Sequence, residues 1–358
     1  MKILTLAGTR PELIRLCLII EKLDKLVDHT FVYTNQNYDY NLSKIFFKEL
    51  SIRQPDYYFD KKAKSVSGFL GKSIVSLEKI IHKERPDKVL TLGDTNSSLL
   101  AMVPAKMGIP VYHMEAGNRC YDERVPEEMN RKIIDSFSKY NLPYTENSKQ
   151  NLLSEGYDKN HVFKIGNPIY EVLSAFEDKI DGSKILKTLD VVPGEFVLVT
   201  AHRAENVDDA ESLINIMGAL GYIAEKYKVI FSVHPRTRSK LDGFDIPDNM
   251  LLSKPFGLFD FVKLEKTAKV VISDSGTVQE ECCIYGVPSI TIRRTTERQE
   301  TIECGSNILS GTRFPDIKYA FNTVLLRDNK WTPPADYLAL NVSDTAINIL
   351  LGGIVNDT

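Results

Sequence analysis

The sequence predicts an α/β protein built from two doubly wound parallel sheets, one in each half of the chain. Three observations support this prediction. Short apolar runs alternate with amphipathic helical patterns. Most of these runs stop at a glycine or a polar loop that leads into a helix, as in parallel sheets covered on both faces. At 358 residues, the chain is longer than one ordinary core, so we expect two domains.

Composition argues against several classes of protein. The formal net charge of -3 and the isoelectric point near 6.1 give no basic surface for nucleic acid or an anionic membrane. No apolar run reaches the length of a membrane span, and residues 1–6 resemble a strand rather than a signal segment. The odd set of five cysteines lacks metal-ligand spacing, so we expect no metal and a reduced, cytoplasmic protein.

The first strand is predicted over residues 3–7, and a helix over residues 11–26 follows it. The turn between them has a glycine but not the dinucleotide fingerprint. Gly8 and Arg10 could hold a phosphate there through backbone amides and a guanidinium. Such turns also occur without a ligand in doubly wound folds, so both interpretations remain open.

Asp94 is the next candidate site residue along the chain. The elements before it are a strand, a polar loop and two helices, predicted at residues 29–34, 35–39, 41–50 and 66–83. A strand over residues 88–92 then ends at Gly93. An acid after a strand-terminal glycine is frequent in active sites, but Asp94 could equally cap a helix over residues 98–107.

The stretch over residues 113–131 is predicted to be a strand end, a charged loop and a helix start. The strand ends at Glu115, the loop turns at Gly117, and Pro126 suits a first helical position. A carboxylate directly after an apolar strand is costly to bury unless a partner or a function compensates. A solvated charged loop is the alternative. Because Asp94 and Glu115 close adjacent strand units, we expect them at one sheet edge.

A break in the pattern separates the two halves. The first series ends with a strand, a helix and an apolar run, predicted at residues 140–144, 148–155 and 162–165. The series then holds about six strands. Gly166, Asn167 and Pro168 interrupt the alternation, so we place the hinge there and predict domains at residues 1–166 and 167–340.

Two histidines follow strands of the second half. His202 comes just after a strand over residues 196–200, and His234 directly follows one over residues 229–233. A lone histidine is usually structural. Two strand-terminal histidines with arginines nearby, here Arg203 beside the first, point equally to a shared anion or sugar site.

The strongest phosphate signal lies where a predicted strand, beginning at Val270, runs directly into a helix over residues 277–285. The first amides of that helix and its dipole would favour an anion such as a diphosphate. These amides belong to Ser275, Gly276 and Thr277. Glu281, about a turn further on, would reach vicinal hydroxyls such as those of a ribose, whereas Glu280 is expected to face solvent.

Taken in order, the motifs of this chain resemble those of the non-hydrolysing UDP-N-acetylglucosamine 2-epimerases, and they span nearly the whole sequence. They are Gly8-Thr9-Arg10-Pro11-Glu12, Gly93-Asp94-Thr95, Met114-Glu115-Ala116-Gly117, Pro126-Glu127-Glu128, Asn130-Arg131, Gly166-Asn167, His202-Arg203, His234-Pro235, Asp274-Ser275-Gly276, Gln279-Glu280-Glu281 and Thr295-Thr296-Glu297-Arg298. The resemblance implies two Rossmann-like domains facing each other across a cleft, the glycosyltransferase-B architecture. It also implies that a C-terminal helix in residues 341–358 crosses back to the first domain.

The resemblance further implies a reaction that needs no cofactor. The family inverts carbon 2 of a UDP-N-acetyl-sugar by eliminating UDP across carbons 1 and 2 and adding it back on the other face. The catalytic residues implied are Asp94, Glu115, Glu127 and His202. The residues implied to bind substrate and UDP are Arg10, Arg15, Arg203, His234, Ser275, Gly276, Thr277, Glu281 and Arg298. The expected partners are the UDP-N-acetyl-sugar and a second copy of the chain in a homodimer.

Departures from the family pattern concern the substrate. Arg15 stands where the plain N-acetylglucosamine enzymes commonly have lysine, Thr277 replaces a second glycine, and Gln299 replaces a usual proline. The central loop and residues 36–40 and 141–144 look more like the capsule and O-antigen branch, whose members act on modified UDP-sugars. The resemblance therefore defines the reaction type and leaves the sugar open.

Other functions of the same fold are a glycosyltransferase, a hydrolysing relative and a UDP-sugar sensor. A glycosyltransferase would not need Asp94, Glu115 and Glu127, and a sensor would have no reason to keep all three. The neighbouring Glu128 is expected to favour the helix dipole and pair with basic neighbours, so that Glu128→Gln costs only about 0.3–1 kcal/mol of stability.

Overall fold

The computed structural model describes residues 1–35, 47–59, 63 and 65–352. The loop at residues 36–40 and most of the predicted helix over residues 41–50 lie outside this part of the chain. The chain divides into two compact units, Met1–Ser174 with Asp336–Thr358, and Ala175–Ala335. Within the described ranges, no helix is long and apolar enough to span a membrane.

The first unit contains a six-stranded parallel sheet in the order β3-β2-β1-β4-β5-β6. Its strands are β1 Lys2–Ala7, β2 Asp28–Tyr33, β3 Tyr57–Tyr58, β4 Lys88–Leu92, β5 Val111–Met114 and β6 Tyr140–Leu142. The central strands are almost entirely buried, as expected for a parallel sheet covered on both faces. The strand order reverses between β1 and β4, where doubly wound folds bind ligands.

The helices of this unit are α1 Arg10–Leu26, α2 Val66–Glu84, α3 Met102–Lys106, α4 Pro126–Phe137, α5 Glu146–Ser154 and α6 Pro168–Ala175. Helix α1 begins at a capping box formed by Thr9 and Glu12. The helix predicted over residues 98–107 starts as a 3-10 turn, Ser98–Ala101, which continues directly into α3. Pro104 lacks the N–H that a continuous helix would use at this point.

The sixth strand of the first sheet differs from the prediction. The apolar run over residues 162–165 forms only an isolated bridge, between Val162 and Asn141. Strand β3 takes the sixth place and pairs with the end of β2. Two residues at a sheet edge are too few for a periodic pattern to predict a strand.

The second unit repeats the same topology with the order β12-β11-β10-β7-β8-β9. Its strands are β7 Phe196–Thr200, β8 Lys228–Ser232, β9 Met250–Ser253, β10 Val270–Ser273, β11 Ser289–Thr291 and β12 Asn307–Leu309. Its helices are α7 Glu177–Asp181, α8 Ile185–Leu189, α9 Ala204–Val207, α10 Ala210–Ala224, α11 Pro235–Arg238, α12 Leu258–Thr267, α13 Gly276–Tyr285, α14 Gln299–Glu303 and α15 Phe314–Leu326. The predicted class, α/β with two doubly wound sheets, is confirmed.

The first unit is completed by the end of the chain. Helix α16, Val342–Leu351, packs on α1. The Glu171 carboxylate accepts the Ser343 N–H at 2.8 Å, and Lys22 Nζ donates to Ser343 Oγ at 2.8 Å. The division between the units falls after Ser174 rather than at residue 166. Asn167 lies inside the first unit because its N–H donates to the Asp336 carbonyl at 2.8 Å.

Candidate active site

Asp94 and Glu115 follow neighbouring strands of the first sheet. Leu92 of β4 lies opposite Met114 of β5, and the Gly93 N–H donates to the Met114 carbonyl at 3.0 Å. Both acids are partly exposed. The two carboxylates therefore lie at one sheet edge, as the strand pattern predicts, next to the point where the strand order reverses.

Glu115 has a backbone conformation that is rare for a residue with a side chain. Its φ of 67° lies in the left-handed region, which costs an L-residue of order 1–2 kcal/mol. Its Oε1 accepts from Asn118 Nδ2 at 3.2 Å, and Asn118 is oriented by Ser148 Oγ at 2.8 Å. Strain of this kind concentrates at functional sites, so the observation supports a role for Glu115.

The turn predicted at Gly117 requires glycine. Its φ is 79°, and an added Cβ would lie 2.1 Å from the Ser148 carbonyl oxygen. The loop after Glu115 therefore packs directly on α5. No other residue permits this approach.

Asp94 pairs with a cation instead of capping a helix. Arg131 Nε donates to Asp94 Oδ2 at 2.8 Å, and Asn130 Nδ2 donates to the Asp94 carbonyl at 2.8 Å. Both donors belong to α4. The side chain of Asp94 is 28% exposed, whereas that of Arg131 is only 3% exposed. The alternative of a helix cap is therefore settled in favour of a carboxylate fixed by α4.

Glu128 pairs with a basic neighbour, Arg131, as expected, but it is buried and does more than favour the helix dipole. Its carboxylate accepts the N–H groups of Cys120 and Tyr121 at 3.0 and 3.1 Å and Arg131 Nη1 at 2.9 Å. Burial opposes ionisation of Glu128, but the Cys120 N–H and the Arg131 charge outweigh it and hold its pKa below the ordinary value. The charged side chain is buried because the loop supplies its donors.

A second buried carboxylate of α4, Asp135, holds the beginning of the same loop. It accepts His113 Nδ1 at 2.8 Å and the Gly117 N–H at 3.2 Å, and it lies 2.8 Å from Arg119 Nη2. His113 Nε2 faces the Gly93 carbonyl at 2.9 Å. Asp135 thereby links the loop after β5 to the residue that precedes Asp94.

Arg10 and Glu127 lie in the first turns of α1 and α4, and both are partly exposed. Near Arg10, Glu12 is buried and accepts the Gly8 N–H at 2.5 Å and Thr95 Oγ1 at 2.7 Å. Burial raises the pKa of Glu12 to about 7, although these hydrogen bonds favour the charged form. The turn after β1 is thus joined to the loop that carries Asp94.

Arg15, a predicted substrate ligand, is almost completely buried. Its Nη1 donates to Asn167 Oδ1 at 3.3 Å, and its guanidinium lies 5.5 Å from the centre of the Tyr144 ring. The motif residue Asn167 therefore contacts Arg15 within the first unit. The guanidinium of Arg15 thus makes a hydrogen bond and an aromatic contact at the same time.

Asp274 organises the sheet edge of the second unit. It is completely buried, and its Oδ2 accepts the N–H groups of His202 and Arg203 at 2.8 and 2.9 Å and Asn206 Nδ2 at 3.0 Å. Its Oδ1 lies 3.2 Å from His202 Nδ1. Burial opposes its ionisation, but the His202 charge and these donors lower its pKa to about 2.

The two predicted histidines lie together at this edge. The His202 and His234 ring centroids are 5.9 Å apart, and both residues follow adjacent strands. His234 Nδ1 accepts the Arg236 N–H at 3.2 Å, which places the hydrogen of the neutral ring on Nε2. Arg203 Nε donates to the Asp274 carbonyl at 3.0 Å. The two histidines and Arg203 therefore form one group.

The predicted phosphate turn has the expected form. Ser275 is the N-cap of α13, its Oγ lies 3.0 Å from Thr277 Oγ1, and Gly276 opens the helix. An added Cβ at Gly276 would lie 2.7 Å from Glu297 Oε1, and Arg293 Nη2 donates to Oε2 of the same carboxylate at 2.9 Å. Gly276 therefore packs closely against the loop before α14.

Arg298 lies beside this turn, and its partner corrects the prediction for Glu280. Glu280 is buried and forms an ion pair with Arg298 Nε, so it does not face solvent. A buried guanidinium and carboxylate compensate each other. Glu281, the predicted ribose ligand, is also buried, one helical turn beyond Thr277.

The structure groups the predicted residues within each unit. In the first unit Asp94, Glu115 and Glu127 lie on segments joined through α4, and in the second unit His202, Arg203 and His234 lie near the first turn of α13. Sequence reasoning gave no role to Glu12, Asp135 or Asp274, although Thr9 and Glu12 have the spacing of a capping box. Across the described ranges, no cluster of histidine, cysteine and acidic residues could hold a metal.

A doubly wound α/β enzyme acting on a phosphate-linked substrate is the class that this arrangement fits. Residues 21–351 match the family model described as UDP-N-acetylglucosamine 2-epimerase. The chain belongs to this family of isomerases. The curated UDP-N-acetylglucosamine 2-epimerase of Methanocaldococcus jannaschii is 40% identical over 347 residues, which cover 93% of this chain and 95% of the relative.

Solved structures and a second curated relative extend the comparison. The M. jannaschii UDP-GlcNAc 2-epimerase in complex with UDP-GlcNAc and UDP is similar with a TM-score of 0.92 and 38% identity, over 98% of this chain and 99% of that chain. The Neisseria meningitidis UDP-GlcNAc 2-epimerase bound to UDP-GlcNAc gives a TM-score of 0.91 at 28% identity, over 98% and 100%. The UDP-2,3-diacetamido-2,3-dideoxy-D-glucuronate 2-epimerase of Pseudomonas aeruginosa is 33% identical, over 87% of this chain and 88% of the relative.

Proposed function

We propose that this protein inverts carbon 2 of a UDP-N-acetyl-sugar by eliminating UDP and adding it back. The observation that carries the proposal is the packing of α4 on the first sheet edge. Helix α4 carries Glu127, fixes Asp94 through Arg131, and holds the loop after Glu115. Enzymatic proton transfer on both faces of a sugar carbon requires such a set of positioned carboxylates.

The reaction conserves every atom of the substrate. One carboxylate removes the proton of carbon 2, the bond between carbon 1 and oxygen breaks, and its electron pair leaves with the β-phosphate of UDP. The intermediates are free UDP and a sugar with a double bond between carbons 1 and 2. A carboxylic acid then protonates carbon 2 from the other face as UDP rejoins carbon 1. Asp94, Glu115 and Glu127 share these acid and base roles.

The departing diphosphate needs positive groups and backbone donors. Arg10 and His202 assist its departure, and the first-turn amides of α13 bind it, favoured by the helix dipole. Glu281 binds the ribose. The other substrate ligands in this proposal are Arg15, Arg203, His234 and Arg298. The pairing of Arg203 and Arg298 with buried acids and carbonyls supports a fixed geometry before the nucleotide binds.

The natural sugar is either UDP-N-acetylglucosamine with its C2 epimer or a modified UDP-sugar. The M. jannaschii relative supports the first, and the P. aeruginosa relative supports the second. Either product would be a precursor of a cell-surface polysaccharide, a capsule or an O-antigen.

Proton NMR in deuterated water with a panel of these UDP-sugars tests the proposal. The expected product carries deuterium at carbon 2, with UDP still attached at equilibrium and no acceptor added. Release of free sugar would instead indicate a hydrolase, and turnover only with an acceptor would indicate a glycosyltransferase. Epimerisation without label would exclude elimination.

The proposed assembly is a homodimer in the cytoplasm. Helix α4 presents Met129 and Ile133, which are 68% and 40% exposed, and the adjoining α3 presents Met102. Neighbouring exposed apolar side chains favour a protein contact. Light scattering with chromatography should give twice the chain mass, and Met129→Glu should shift the protein towards monomer.

The five free cysteines fit a reducing compartment.

A further inference from the structure

We propose that Glu128 and Arg131 form a positioning pair that sets the relative placement of Asp94 and the Glu115 loop during the reaction. This inference rests on the proposed function and gives a positioning role to two residues beyond the reacting carboxylates. Both side chains are buried on α4, 2% and 3% exposed. Neither is a catalytic residue, because each acts through other groups.

The pair joins two segments that the sequence separates widely. On one side Glu128 accepts the N–H groups of Cys120 and Tyr121. On the other side Arg131 Nε donates to Asp94 at 2.8 Å while its Nη1 donates to Glu128 at 2.9 Å. One guanidinium thus contacts both carboxylates, which its planar fork of donors allows and a lysine ammonium cannot reproduce.

The loop held by Glu128 has a backbone that needs support. Tyr121 has φ 52° and Glu115 has φ 67°, both in the left-handed region. Each such residue costs of order 1–3 kcal/mol and persists only where the surroundings fix it. Glu128 supplies a charged acceptor to two successive N–H groups at the far end of this strained loop, and charge-assisted bonds are the stronger class.

A purely structural role explains the charges poorly. A buried ion pair costs desolvation of both ions and is often no more stabilising than apolar residues of similar volume. This pair, however, ends at Asp94, whose carboxylate is 28% exposed at the sheet edge. The network therefore transmits the position of α4 to a group that substrate can reach.

The test compares Glu128→Gln and Arg131→Lys, with Glu123→Gln as the control, because Glu123 is an exposed acid of the same loop. The measurements are deuterium incorporation at carbon 2 of UDP-N-acetylglucosamine, or of the panel sugar that wild type exchanges, and UDP binding by calorimetry. We expect kcat to fall about 10- to 100-fold in both variants, since a misplacement of about 1 Å can cost that much. KM and UDP affinity should stay within about twofold, and the control within about twofold in kcat.

A double-mutant cycle separates positioning from general destabilisation. If both residues act through one network, the double variant should be no more than about threefold slower than the slower single variant. Glu128→Asp, which keeps the charge, should recover part of kcat. Should Glu128→Gln not fold, Arg131→Lys, which keeps a buried cation, decides by the same split between kcat and KM.

Three results would overturn the inference, in different ways. Full kcat in a folded Glu128→Gln or Arg131→Lys protein, with an active wild type, would overturn the positioning pair and leave the proposed function intact. Losses that multiply in the double variant, together with weaker UDP binding, would likewise reduce the pair to a structural role. A wild type that exchanges no UDP-sugar would overturn the proposed function itself, and the inference with it.

Discussion

Each unit contains a fully buried carboxylate beside its candidate phosphate turn, and the pKa values of the two acids are shifted in opposite directions. Glu12 of the first unit has its pKa raised to about 7, whereas Asp274 of the second has its pKa lowered to about 2. Both accept successive backbone N–H groups. Glu12 accepts those of Gly8 and Thr9, and Asp274 accepts those of His202 and Arg203 in the loop after β7.

The difference is a nearby cation. Asp274 lies 3.2 Å from His202 Nδ1, whereas the donors that reach Glu12 are neutral amides and the Thr95 hydroxyl. Burial is therefore the main influence on the pKa of Glu12, whereas at Asp274 burial is outweighed by His202, when its ring is protonated, and by the backbone donors. Glu128 follows Asp274 in this respect, because Arg131 lies 2.9 Å away. The comparison shows that burial alone does not fix the charge of an acid at a sheet edge.

The largest expected effect is on stability at Glu12. Because its folded-state pKa is raised, its contribution is complete below about pH 4 and is lost as pH rises through about 7. Relative to Glu12→Gln, wild type should lose about 3 kcal/mol of unfolding free energy between about pH 4 and pH 8. Urea unfolding of both proteins across this range measures the difference. A difference that does not change with pH would contradict the raised pKa.

The second effect separates a reacting acid from a buried one. Glu115→Gln keeps the shape of the side chain but removes proton transfer, so turnover should fall roughly 10²-fold or more, about 2.7 kcal/mol. Its UDP affinity should match wild type. Deuterium exchange at carbon 2 and calorimetry measure both properties. Nearly full turnover would remove Glu115 from the catalytic set.

The third effect mirrors the first with the opposite sign. Asp274 has a lowered folded-state pKa, so its contribution is present above about pH 4 and is lost as pH falls through about 2. Wild type should lose about 2 kcal/mol over this range that Asp274→Asn does not lose. Unfolding curves of the two proteins between pH 5 and about 2 measure it. Parallel losses would show that another group titrates in this window.

Residues directly after strands were the predictable part of the site. Asp94, Glu115 and Ser275 all follow buried apolar runs, and each parallel sheet brings such positions to its own edge. The fold class followed from the same alternation, whereas β3 did not, because its two residues carry no period.

Charged residues on helices were the unpredictable part. Glu280 was expected to face solvent and Glu128 to act on the helix dipole and its basic neighbours, and both are buried. The partner of Glu280 is Arg298, which lies beyond the next strand, so no local pattern predicts the pair. Glu128 has Arg131 three positions away, a visible spacing, but its burial depends on loop amides that only the folded chain brings close.

The packing of α16 on α1 has a consequence for the order in which the chain folds during synthesis. Residues 175–335 form one uninterrupted unit, so this unit can fold once its own segment has left the ribosome. The first unit emerges earlier but lacks α16, and Lys22 and Glu171 have no Ser343 to bind until that helix is made. The half of the protein that is translated first is therefore completed last.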